Sequence, residues 1–240
     1  MYFVDFIMAK QVYECNWVPS RVTEDQLDDL VLIGALGSKD TIHWRAPGKE
    51  CPPTPREGEV VVFVDHLARG FKPPGSKFYR DVLADFQLHP QDTGPNSVTN
   101  MCHFQVLCEV FFQEEPTVEL FRDLFHLNRR TEFTDGSNTE LGGMAIQKRK
   151  EVTYPHAKLH SHPKEWNQTW FYCKDTSPAG ENPLPGFRPE RLSNTHPFPQ
   201  RLTAQERSKY APQLSKLRAF MANGLTGVDL ARCWISWSIL

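Results

Sequence analysis

His160-Ser161-His162-Pro163 is where residue type and spacing in this chain most directly offer chemistry. Two imidazoles one residue apart can hold a zinc ion. A third donor then leaves a fourth position open for a metal-activated water. Cys173, with ten residues between it and His162, can supply a thiolate, and with His156 the set reaches four ligands of zinc-binding type. A hydrolytic site also needs a carboxylate base, and neither Glu140 nor Glu151 stands in a recognisable context for one. Asp92-Thr93-Gly94 is the second place, but it follows His89-Pro90-Gln91 and precedes Pro95, so it reads as a turn. Lys148-Arg149-Lys150 is the third. It can meet phosphates or serve as a nuclear address, although a solvated strand end explains three basic residues more simply.

Two of these motifs resemble parts of known enzymes. His160-Ser161-His162-Pro163 resembles the His-x-His-Pro core of the JAMM metalloproteases, which hold zinc with two His and an Asp. In that register the Asp position falls on Cys173, the usual Ser is Trp170, and Asp175 arrives two residues late. The Asp92 triplet resembles that of retroviral aspartic proteases, where it follows an apolar strand that is missing here. The expectation is therefore no catalytic residue and no cofactor, with His160, His162 and Cys173 as metal candidates and a zinc-dependent hydrolase as the last of the alternatives.

The elements that would position these groups are short. The 240 residues are 40% hydrophobic and include 19 Pro, enough for a core broken by stiff connections. Thr23 and Gln26 form a capping box ahead of a helix whose stripe is Leu27, Leu30, Val31 and Ile33. Val60 to Phe71 is ambiguous and is read as helix from its later spacing of three and four. Ser76 opens a helix with Phe78, Val82 and Phe86 on one face, Asn96 or Ser97 a longer one, and Thr117 another carrying Phe121, Leu124 and Phe125. That aromatic spacing marks a core, not a base-stacking platform. Met144–Gln147 and Thr169–Lys174 read as strands. Thr203 and Glu206 form a second capping box before a helix through Phe220 and Met221, and Thr226 starts the last.

The fold class expected is mainly α (α+β): a bundle of short helices, a small β hairpin or sheet around residues 143–175, and a C-terminal helical pair. Residues 1–175 form the main domain, helical over 20–130 with a small β region over 131–175. Residues 176–200, with six Pro, read as a linker, and 201–240 as the C-terminal helical segment.

Charge is divided between the halves. Residues 1–121 carry 10 Lys+Arg against 18 Asp+Glu, and residues 122–240 carry 17 against 11. Nucleic acid could then meet only the C-terminal half, or the two halves could dock on one another. No apolar run approaches the ~20 residues that span a bilayer, so no membrane partner is expected. The apolar start, Met1 to Lys10, holds Asp5 and lacks the basic residues and cleavage site of a signal peptide. Six Cys without a Cys-x-x-Cys pair fit reduced thiols in the nucleus or cytoplasm. The apolar ending, Trp234 to Leu240, calls for a covering surface: the domain itself, another chain, or the continuation of a longer protein.

Taken in order, several stretches resemble one family: Trp17–Val22 (WVPSRV), Trp44–Gly48 (WRAPG), Gly58–Phe71 (GEVVVFVDHLARGF), Pro95-Asn96-Ser97, Phe104–Phe111 (FQVLCEVF), Pro116–Phe125 (PTVELFRDLF), Trp166–Asp175 (WNQTWFYCKD) and Leu225–Trp237 (LTGVDLARCWISW). The chain resembles the gypsy-type transposon domain family of grasses. That resemblance implies a protein derived from a plant retrotransposon and supplies no catalytic set. It points to a non-enzymatic, gag-like module that associates with itself and contacts RNA through its basic half, Lys148, Arg149 and Lys150 included. The zinc knuckle that many gag proteins use for RNA is missing. The alternative is a host-recruited protein-interaction module with Trp234, Trp237 and Ile239 as anchors.

Overall fold

The computed structural model describes residues 17–130, 138–139, 141–155, 157, 159, 165–190, 192–193 and 196–237; the side chains of 138–139 and 235–237 are outside that description. The first elements are α1 (Glu24–Leu32), α2 (Lys39–Ile42), β1 (Trp44–Arg45), β2 (Glu59–Phe63), α3 (Val64–Leu67) and α4 (Lys77–Asp85). After them come α5 (Pro95–Val106), continued by a π-helical stretch over Leu107–Phe112, then α6 (Val118–Leu124) and β3 (Phe125–Arg129). The rest are β4 (Asn138–Thr139), β5 (Met144–Lys148), β6 (Trp170–Lys174), β7 (Leu192–Ser193), α7 (Ala204–Ser208), α8 (Ala211–Ala222) and α9 (Gly227–Trp237). This is the mixed, mainly helical architecture expected.

Local signals set the helix starts. Thr23 and Gln26 close a reciprocal capping box on α1, as do Thr203 and Glu206 on α7. The hydroxyls of Ser76 and Thr117 accept from the amides of Tyr79 and Leu120, capping α4 and α6. Pro212 sits in the first turn of α8, where its missing N–H costs no helical bond. It therefore separates α7 from α8 without kinking either.

The aromatic stripes converge as a core. Phe78 and Phe86 of α4, Phe104 of α5, Phe121 of α6 and Phe125 of β3 are all buried. Phe121 and Phe125 stack with ring centroids 4.6 Å apart, and Phe104 meets Phe121 at 5.2 Å. Phe125 belongs to a strand, not to the preceding helix as its spacing implied. It pairs with Lys148 in an antiparallel ladder of β3 on β5, and the tertiary ladder overrides the local helical pattern.

Val60–Phe63 is likewise strand, and helix begins only at Val64, so the helical reading of this stretch is corrected. β2 and β1 flank β6 in an antiparallel sheet of order β1-β6-β2. Val60 and Val62 face the main core with Phe171 and Cys173. Val61 and Phe63 face a second cluster with Trp166, Trp170 and Tyr172, against which Trp17 and Phe187 pack. A strand buried on both faces has no polar alternation, so its run of apolar residues carries no period-two signature. The two main strands of the 143–175 region belong to separate sheets and do not pair with each other: β5 pairs with β3, and β6 with β1 and β2.

Residues 176–190 lie along the domain. Arg80, itself buried, donates to the Asn182 carbonyl at 2.7 Å and pairs with Glu181, and Gln91 donates to the Arg188 carbonyl at 2.7 Å. Leu184 is buried in the core. This stretch is a strap held by side chains.

Candidate functional site

The C-terminal helix brings the most consequential side chain back to the domain. α9 packs along α5, and Trp234 lies half-buried against Gly70 and Cys102. Gly70 has φ +104°, and a Cβ there would stand 2.7 Å from Trp234 Nε1 and 3.0 Å from Cys102 Sγ. Only glycine allows the indole to approach this closely.

Beside that contact runs a groove of about 570 Å³, walled by Ile33, Leu67, Ala68, Ala231 and Trp234 with Arg69 and Lys72 among its polar members. Ile33, which lines the groove, is 76% exposed, and its neighbour in sequence Leu32 is 83% exposed. Ile33 was expected in the buried stripe of α1; it is instead the residue that closes the helix, on the side away from Leu27. At about 100° per residue, positions 32 and 33 turn away from the face of 27, 30 and 31. The sequence reading missed this surface, although a run of four apolar residues, Leu30 to Ile33, on a helix with one buried face signals it.

A second groove of about 550 Å³ surrounds the WRAPG stretch, lined among others by Glu24, Lys39, Trp44, Arg45, Glu50 and Glu59. Arg45 bonds Glu59 and Glu50, and Tyr172 Oη donates to Glu50 Oε2 at 2.6 Å. Burial alone would raise the Glu50 carboxyl, but hydrogen bonds from Thr54, Tyr172 and Arg45, with the Arg45 charge, hold it at about 2. Glu59 is also burdened by burial and still lowered, by the Arg45 bonds and the Arg56 amide. These carboxylates stay charged at neutral pH, which suits ion pairing and not proton transfer.

The metal candidates are placed as follows. Cys173 lies in the middle of the sheet, opposite both Trp44 and Val60, and burial pushes its thiol well up. His156, His160 and His162 lie outside the described residues. Among the described residues no group of three His, Cys, Asp or Glu is arranged to hold a metal ion. Asp92 closes a 3-10 turn over Pro90–Asp92; it accepts from the His89 amide at 2.7 Å and pairs with Arg188.

The basic run is largely engaged. Lys148 Nζ donates to the carbonyls of Arg149 and Val152, both at 2.9 Å. Arg149 donates to the Arg122 carbonyl, and burial, with the neighbouring Arg201 charge, lowers its pKa. Lys150 is exposed. Nearby, fully buried Asp123 receives Arg201 at 3.0 Å and Arg207 at 2.7 Å, fastening the chain around α7 to α6. Trp237 ends α9, with its side chain outside the description, as is Ile239. No helix among the described residues is long and apolar enough to cross a membrane.

Residues 60–129 match the family model described as a gypsy type transposon. Over this segment, less than a third of its length, the chain is similar to the gypsy-type transposon family. No curated protein and no solved structure matches the chain. The matched segment runs from β2 to β3 and holds the aromatic core, Asp92 and Asp123. It also supplies Leu67, Ala68, Arg69 and Lys72 of the apolar groove, whereas Ile33 and Trp234 come from outside it.

Proposed function

We propose that this chain is a non-enzymatic, gag-like structural module of a plant gypsy-type retrotransposon, one that associates with itself and contacts RNA through its basic C-terminal half, in the nucleus or cytoplasm. The observation that carries the reading is the apolar groove with Ile33 exposed on its wall and Leu32 exposed next to it in sequence. Apolar surface gathered in one place is stabilised by a covering macromolecule, and large side chains at its rim give that partner something to grip. The opposite charges of the two halves support attraction between copies. The RNA contact rests on exposed Lys150 and the positive balance of residues 122–240, since Lys148 and Arg149 are committed to carbonyls.

Size-exclusion chromatography with light scattering and a 260/280 nm ratio, run at low and high salt, tests it. Expected are masses above the monomer, and a raised absorbance ratio at low salt that falls at high salt. A strictly monomeric protein, free of nucleic acid and indifferent to salt, overturns the proposal.

A further inference from the structure

Resting on that reading, we infer that Leu32 and Ile33 of one copy seat in the apolar groove of a second copy, whose own pair fills the groove of the first. The contact is self-complementary. Asp25, Asp28, Asp29 and Leu32 share an exposed face of α1, since residues three and four apart align on a helix. Among the described residues, none of Asp25, Asp28, Asp29 or the Arg69 guanidinium enters an ion pair within the chain. The groove wall carries Arg69, so the apolar pair arrives with acidic neighbours where the receiving surface offers a guanidinium.

The occupant is a second copy because this one chain holds the apolar pair, the groove and both charge signs. Ile33 of the pair itself lines the groove that the pair would fill in the other molecule. One two-fold axis near the groove therefore satisfies both contacts at once and closes the assembly, whereas a head-to-tail contact would build a ring or a filament. Each substituted residue counts twice in such a dimer.

Sedimentation equilibrium of the full chain over a concentration series reads the contact. Ile33→Asp, at an exposed position, is expected to leave the thermal melt of the dilute monomer in place and weaken dimerisation on the order of a hundredfold. Arg69→Glu alone and Asp28→Lys with Asp29→Lys are each expected to weaken it, and all three together to restore it. Restoration supports the pairing, since neither a lone structural defect nor an unrelated partner produces it. Self-association unchanged in Ile33→Asp, or no rescue by the triple variant, overturns this inference and leaves the self-association reading standing. A monomer at every concentration overturns both.

Discussion

Arg45 meets Glu59 through two parallel bonds of 2.8 Å, Nε to Oε1 and Nη2 to Oε2, and turns Nη1 to Glu50 at 2.7 Å. Its guanidinium carbon lies 3.9 Å from the centre of the Tyr172 ring. One side chain thereby ties β1 to β2 across the intervening β6. The two partners of the fork are 14% and 11% exposed, so water replaces little of what is lost when the fork is removed. Arg45→Ala is expected to cost about 3 kcal/mol in urea unfolding, because two carboxylates remain half-buried without their cation. Arg45→Lys should recover only part, lacking the planar fork. An unchanged urea midpoint in Arg45→Ala would count against this account.

Acid acts on the same network. The Glu50 carboxyl falls from an ordinary 4.5 to about 2 on folding, so it contributes stability that is fully present above about pH 4.5 and is lost as pH falls towards about 2. Glu50→Gln removes the titrating group. The stability gap between wild type and Glu50→Gln is expected to be widest at neutral pH and to narrow through that window. A gap that stays constant on acidification would show that Glu50 does not titrate there.

Gly70 and Trp234 form a matched pair. Gly70→Ala forces a left-handed residue to carry a Cβ into the indole, and is expected to cost about 2 kcal/mol and shift the tryptophan emission as Trp234 is displaced. Trp234→Ala should cost about as much through lost packing. Combined, the two should cost less than their sum, because the clash disappears with the indole. Strict additivity would break the link.

Asp123 holds two arginines from the C-terminal region. Asp123→Asn leaves both cations without their carboxylate, at about 2 kcal/mol, the lower side of the buried-pair range because each arginine keeps an edge in water. Limited trypsin digestion is expected to cut faster after Arg201 and Arg207 in the variant. Equal cleavage rates would argue that other contacts hold this segment.

Much of the helical framework was legible because its signals lie within a turn of the residues they act on. Thr23 with Gln26, Thr203 with Glu206, Ser76 and Thr117 announce helix starts through bonds three residues long, and Phe78, Val82 and Phe86 mark the face that is buried. Leu32 and Ile33 were less legible. An apolar residue at a helix end is equally consistent with core and with surface until the neighbouring elements are in place.

By itself the chain determined the composition of a core, the places where helices begin, the division of charge between its halves, and the ordered motifs that resemble a known family. Tertiary structure alone decided that Val60–Phe63 is a strand, that Phe125 leaves its helix, and that β6 inserts between two strands more than a hundred residues earlier. It also decided that Ile33, Leu67 and Trp234 share one groove. The reason is range: a cap or a stripe is satisfied by neighbours in sequence, whereas a ladder bond or a groove wall takes its partner from wherever the chain returns, and no local pattern encodes that return.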